Sequence, residues 1–125
     1  MSLHSIRCIV VGRNPAKHRN SGRRNPTLAR LDSWLNYLEV DHCGFVNVAH
    51  DVGEVRSKNI DHEFLGLCLE GHTKILALGG LPSDVLRTLN KTHFKLPHPS
   101  PLNRLLNDKE YERKVLDDCK RFLKT

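Results

Sequence analysis

Apolar residues recur along the chain in short clusters separated by polar segments rich in Gly, Pro, Asn and Ser, and the period inside each cluster identifies its element. Ile6 to Val11 is a β-branched run ended by Gly12, the pattern of a buried strand. After a long polar stretch, Pro26 can open a helix whose Leu28, Leu31, Leu35 and Leu38 fall on one face. Phe45 to Val48 reads as a second short strand. Helical spacing returns in Ile60, Phe64, Leu67 and Cys68, and Gly71 suits the position just past that helix. Lys74 to Leu78 predicts a third buried strand, after which Gly79 and Gly80 turn the chain into a helix containing Val85, Leu86 and Leu89. His93 to Leu96 makes a fourth strand before Pro97. A last helix from about Asp108 places Tyr111, Val115, Leu116, Cys119, Phe122 and Leu123 on its inner face.

Strands alternating with helices imply right-handed crossovers and a mostly parallel sheet covered on both faces. The expected fold is therefore α/β: a three-layer α/β/α domain around a mostly parallel four-stranded sheet. A chain of 125 residues has room for one hydrophobic core, so residues 1–125 read as a single domain with at most one active site. The segment from Ala49 to Asn59 is polar enough to be a mobile connection within it.

Composition narrows the classes further. With 38% hydrophobic and 27% charged residues the chain is not a disordered one. No run approaches the roughly 20 apolar residues that cross a bilayer, and the opening MSLHSIRCIVVG has too short an apolar run for a secretory signal. A cytoplasmic protein without a membrane partner is expected. Cys8, Cys43, Cys68 and Cys119 are far apart and mostly within apolar stretches, which reads as buried free thiols; they lack the close pairing of a zinc or iron–sulfur site.

Twenty Lys and Arg against fourteen Asp and Glu give a formal charge of +6, which favours an anionic partner. Between Arg13 and Arg30 stand Lys17, Arg19, Arg23 and Arg24 with no acidic residue among them, in a stretch unsuited to a regular element. Such a segment is either a solvated loop or a phosphate-contacting surface.

In open sheets of this kind ligands bind beyond the carboxyl ends of the strands. Three segments belong there: Gly12 to Ala16, Asn47 to Asp51, and His98 to Arg104. In the first, Gly12 lets a substrate approach the backbone beside Arg13, Pro15 stiffens the turn, and Asn14 offers an amide able to orient a water. A strand-ending turn without chemistry has a similar composition. Asn47 lies in the apolar sequence Gly-Phe-Val-Asn-Val-Ala, where it either satisfies backbone groups or presents its paired donor and acceptor to the edge of a base. In the third segment two prolines rigidify a loop that carries His98, Ser100, Leu102 and Arg104; a lone histidine is more often structural than catalytic, but packing explains His98 poorly in a polar, proline-locked loop beyond a strand end.

These segments, in this order, resemble the uracil-DNA glycosylase superfamily. Gly12-Arg13-Asn14-Pro15-Ala16 is similar to that family's first motif, in particular to the mismatch-specific and single-strand-selective branches, which have asparagine at the position of Asn14. His98-Pro99-Ser100-Pro101-Leu102 resembles the second motif almost letter for letter, and Lys74 to Gly79 is similar to the strand and glycine turn before it. The resemblance spans Ile6 to Phe122, with the two motifs as its specific part.

The resemblance implies a glycosylase that turns a uracil or related modified base out of DNA and hydrolyses its N-glycosidic bond. Asn14 would orient the attacking water, Asn47 would read the base edge, and His98 would stabilise the departing base anion. Gly12, Arg13 and Pro15 would line the substrate site. Leu102 would fill the gap left in the stack, while Ser100, Arg104 and the basic residues Lys17, Arg19, Arg23 and Arg24 would hold DNA. No metal and no organic cofactor is implied, and a monomer is expected.

Two departures qualify that expectation. No Phe, Tyr or Trp occurs between Gly12 and Leu31, where many family members supply a ring that stacks on the base; His18 is a weak substitute, and Trp34 reads as part of the helix packing. Ala16 stands where one branch carries a tyrosine that excludes thymine. The alternatives are a glycosylase-like fold that binds DNA or a partner without catalysis, and an α/β enzyme of free nucleosides or nucleotides.

Overall fold

Val10, Val11, Leu76 and Ala77 are wholly removed from solvent, and the two strands that carry them are the inner strands of a four-stranded sheet. The computed structural model describes residues 6–13, 26–50 and 55–125. β1 (Ile6–Gly12) and β3 (Ile75–Leu78) are flanked by β2 (Val40–Asn47) and β4 (Phe94–Leu96), in the order β2-β1-β3-β4 and parallel throughout. The expected α/β architecture is what the chain adopts.

Because side chains alternate along a strand, the sheet builds a core on each face. Cys8, Val10, Leu76 and Leu78 pack beneath α1 (Pro26–Tyr37) and α4 (Lys109–Lys124). Ile9, Val11, Ile75 and Ala77 pack beneath α2 (His62–Leu69) and α3 (Gly80–Thr88). Among the described residues no helix is long and apolar enough to cross a membrane.

The crossover β1–α1–β2 runs toward one edge of the sheet and β3–α3–β4 toward the other, with their helices on opposite faces. One handedness of crossover requires that reversal. The chain therefore leaves β1 and β3 in diverging directions, and the switch-point crevice expected of such sheets falls between their carboxyl ends.

Local chemistry sets the helix limits. Asp61 accepts from Phe64 N at 2.9 Å and begins α2, while Asp108 accepts from Glu110 N and Tyr111 N and begins α4, where the periodicity predicts a start. Trp34 Nε1 donates to Glu112 at 2.8 Å, tying α1 to α4 and confirming that this indole belongs to the packing.

Three details differ from the sequence expectation. β2 begins at Val40, five residues earlier than the apolar run Phe45 to Val48, because pairing with β1 continues at Cys43, His42 and, past an irregularity at Asp41, Val40 of an edge strand. On α1 Leu31 and Trp34 are buried, Leu35 packs partly against the core and Leu38 is buried just past the helix, as the spacing predicts for the three leucines, but Leu28 faces outward. On α2 the buried residues are Leu65 and Leu69, whereas Phe64 and Leu67 are exposed and Ile60 precedes the helix in a bridge to Ala49. That bridge and a 3₁₀ turn at Ser57–Asn59 give regular structure to the described ends of the polar connection. All four cysteines are free: Cys8 and Cys119 are buried, Cys68 is partly covered, and Cys43 is exposed because its strand lies at the edge.

Away from the carboxyl edge, Ser83 and His93 join α3 to the start of β4. His93 Nδ1–H donates to the Lys91 carbonyl at 2.8 Å, which leaves Nε2 to accept from the buried Ser83 hydroxyl at 2.7 Å. Ser83→Ala is expected to cost about 1–2 kcal/mol, since it removes the bond and leaves a ring nitrogen unpaired. Thermal denaturation followed by far-UV circular dichroism should show a midpoint lower by roughly 3–6 °C; an unchanged midpoint would mean that water replaces the hydroxyl.

Candidate active site at the carboxyl edge

The crevice is assembled from the ends of three strands. Val48 N–H donates to the Gly12 carbonyl at 2.9 Å and Ala49 N–H to that of Arg13 at 3.1 Å, so the segment after β2 lies alongside the exit of β1. Asn47 and Gly12 are cross-strand partners, and a methyl group at Gly12 would come within 2.7 Å of Asn47 Oδ1. The same methyl would stand 2.9 Å from Phe45 Cζ. Only glycine allows both side chains to close over this backbone.

On the other side of the crevice, Gly79 has φ 88° and begins α3 without a side-chain cap. Its bare Cα accommodates His98, whose Cβ would lie 3.6 Å from any methyl placed there. Gly79 N–H also donates to the Leu96 carbonyl at 2.8 Å, fixing the origin of the histidine loop.

That loop is locked by its own polar groups. Ser100 Oγ accepts from Leu102 N at 3.1 Å, Asn103 Nδ2 donates to the His98 carbonyl at 2.9 Å, and Asn103 Oδ1 accepts from Leu105 N at 3.1 Å. Arg30 of α1 reaches the Ser100 carbonyl at 3.4 Å. The result lifts Leu102 to 87% exposure at the tip, beside Leu105 and Arg104, which are also exposed.

Ser100 N–H donates to His98 Nδ1 at 3.2 Å. A nitrogen that accepts cannot carry the proton, so neutral His98 holds its proton on Nε2. Burial, and then the positive charge of Arg13, keep the imidazole below its ordinary pKa of 6.5. His98 is thus a neutral donor at pH 7, and the influence of Arg13 brings the exits of β1 and β4 into one electrostatic neighbourhood.

The chain matches no protein-family model, no curated protein and no solved structure. Its chemistry is accordingly read from the crevice itself.

Gly12, Arg13, Asn47 and His98 stand at or just past the carboxyl ends of their strands, Gly12 beside Asn47 and His98 within the influence of Arg13. Ser100 is committed to the turn through its acceptor lone pairs, while Leu102 and Arg104 project from the loop. Asn14, Pro15, Lys17, Arg19, Arg23 and Arg24 lie outside the described residues. Among the described residues no group of His, Cys, Asp or Glu could hold a metal ion.

Two contributors escape a reading by motif. Phe45, half exposed, supplies an aromatic ring against Gly12 and on the same face as Asn47. Its signal was the two-residue spacing Phe45–Asn47, which puts both side chains on one side of a strand. Arg30, an ordinary helical arginine in sequence, anchors the histidine loop; nothing local marks it.

Chemically, the crevice offers a flat apolar surface, an amide with paired donor and acceptor, a neutral N–H donor and a cation. That set suits a planar heterocycle on which negative charge develops.

Proposed function

We propose that this chain is a DNA glycosylase that hydrolyses the N-glycosidic bond of a flipped uracil or related modified base. The observation that carries the reading is the Ser100 N–H donated to His98 Nδ1, which leaves the proton of the neutral ring on Nε2. As the bond from sugar to base breaks, its electron pair leaves with the base and charge collects on a carbonyl oxygen of that base. A fixed neutral N–H opposite that oxygen is worth ~3–4 kcal/mol of barrier. Water adds to the sugar carbon, and its displaced proton neutralises the base. Asn14, on the sequence resemblance, orients that water.

Asn47 reads the edge of the base and Phe45 stacks on its face, which answers the lack of an aromatic residue between Gly12 and Leu31. Leu102 enters the vacated stack, offsetting part of the few kcal/mol of unstacking. A cytoplasmic monomer acting on DNA completes the proposal.

The test is an abasic-site assay on oligonucleotides containing uracil, 5-hydroxymethyluracil or hypoxanthine, in single strands and opposite guanine. Strand breakage after alkali with at least one base is the expected result. Folded protein that binds these oligonucleotides yet cleaves none would instead be a DNA-binding module.

The basic segment gives a separate prediction. Replacing Arg19, Arg23 and Arg24 together by Gln should weaken binding to every sequence alike. The slope of log affinity against log salt should fall by about 0.9 for each duplex phosphate contact removed. Fluorescence anisotropy across a salt series measures it, and an unchanged slope assigns these arginines to solvent.

A further inference from the structure

One cluster of reactive side chains stands apart from the crevice chemistry. Cys8 and Cys43 are cross-strand partners on the parallel strands β1 and β2, so their side chains emerge from the same face of the sheet. Adjacent strands lie about 4.8 Å apart, inside the range of roughly 4.4–6.8 Å that a disulfide spans between Cα atoms. Cys43 is exposed at the edge, whereas Cys8 is 3% exposed in the core beside it.

We propose that Cys8 and Cys43 form a peroxide-sensitive pair that closes as an intramolecular disulfide bridging β1 and β2. The order of events follows from their surroundings. Cys43 Sγ lies 3.3 Å from the Gly44 carbonyl, and the neighbouring Cys8 is the largest influence on it, lowering its thiol below the ordinary range although burial and Asp32 oppose this. Cys8 is raised, by the neighbouring Cys43 first and then by desolvation in the core. Cys43 is therefore the thiolate that meets the oxidant and Cys8 the resolving thiol.

Cys43 thiolate attacks one oxygen of hydrogen peroxide, the O–O bond breaks, and Cys43 sulfenic acid and hydroxide result. Cys8 sulfur then attacks the Cys43 sulfur. The S–O bond breaks, the Cys8 proton joins the departing hydroxyl as water, and the S–S bond forms. Two thiols lose two electrons in total, and one peroxide gains them. Cys119 is the nearby competitor: it is close enough to influence Cys8, but burial in the core pushes its own thiol up to about 12. Protonated and wholly buried, it does not meet peroxide, and it has no place in the strand register that sets Cys8 beside Cys43.

This pair stands independently of the glycosylase reading, but the strands it would join are those that carry Gly12 and Arg13 on one side and Phe45 and Asn47 on the other. Oxidation therefore adds a covalent tie beneath the candidate site.

The experiment exposes the reduced full chain to hydrogen peroxide under native conditions, blocks remaining thiols by alkylation, and reads intact mass and a peptide map. Two of the four thiols should disappear with a mass loss of two hydrogens, and the Cys8 and Cys43 peptides should be linked. Dithiothreitol should restore both. Cys43→Ser, at an exposed position, should slow thiol loss about tenfold or more. Cys8→Ala, which keeps a small apolar group in the core, should stop at a Cys43 sulfenic acid that dimedone traps. Linkage of Cys8 to Cys119, a Cys43-linked dimer, Cys43 sulfinic acid with Cys8 still reduced, or no reaction would each overturn the proposal.

Discussion

His98→Ala is expected to slow base release by about 10²–10³-fold while changing the affinity for DNA little, because the donor is needed only once charge has reached the base. Single-turnover cleavage and equilibrium binding, measured side by side on the best substrate from the abasic-site assay, separate the two effects. A parallel loss of affinity would make His98 a contact to DNA, and no loss of rate would remove it from the chemistry. The pH dependence supplies an independent reading. Burial and Arg13 depress the His98 pKa, so the neutral, donating form persists below pH 6.5. Protonation would place a hydrogen on Nδ1, where Ser100 N–H already points. The acidic limb of kcat/KM should therefore fall below pH 6.5, with activity present above it and lost as pH drops through it. That limb should be absent from the residual activity of His98→Ala.

Much of this site is legible in the order of elements. A β-branched run ending at Gly12, an apolar run ending in Gly79-Gly80 and a strand running into His98-Pro99 are each read from local pattern, and parallel pairing brings their carboxyl ends to one edge. What escapes is whatever depends on partners distant in sequence. β2 continues back to Val40 because β1 pairs with Val40, His42 and Cys43, the register skipping Asp41, which no property of those residues predicts. Phe64 and Leu67 look like an inner helical face, but the approach of α2 to the sheet buries Leu65 and Leu69 instead. Two overlapping apolar stripes on one short helix cannot be ranked by spacing alone. Phe45 was hidden for a similar reason: as part of an apolar strand it reads as core, and only its place on an edge strand leaves the ring half exposed against Gly12.

Gly12→Ala tests whether that arrangement is used. The added methyl would stand 2.7 Å from Asn47 Oδ1 and 2.9 Å from Phe45 Cζ, distances at which something must move. Both side chains are partly open to solvent and can swing away, so the stability cost should lie near the low end of the roughly 1–3 kcal/mol typical of overpacking. Function should suffer more. An amide that reads a base edge through two hydrogen bonds contributes about 1–3 kcal/mol, and its displacement should lower kcat/KM by roughly 10–100-fold. Displacement of the Phe45 ring would remove stacking in addition, worth about 1–3 kcal/mol. Thermal denaturation and single-turnover cleavage on the same preparations distinguish the two consequences. The decisive comparison is a double-mutant cycle with Asn47→Ala. If Gly12→Ala acts by pushing Asn47 aside, its cost should shrink once that amide is gone, leaving only the share carried through Phe45. Fully additive losses would mean that Gly12 serves the backbone approach of the substrate itself, and that Asn47 holds its position without help from the glycine.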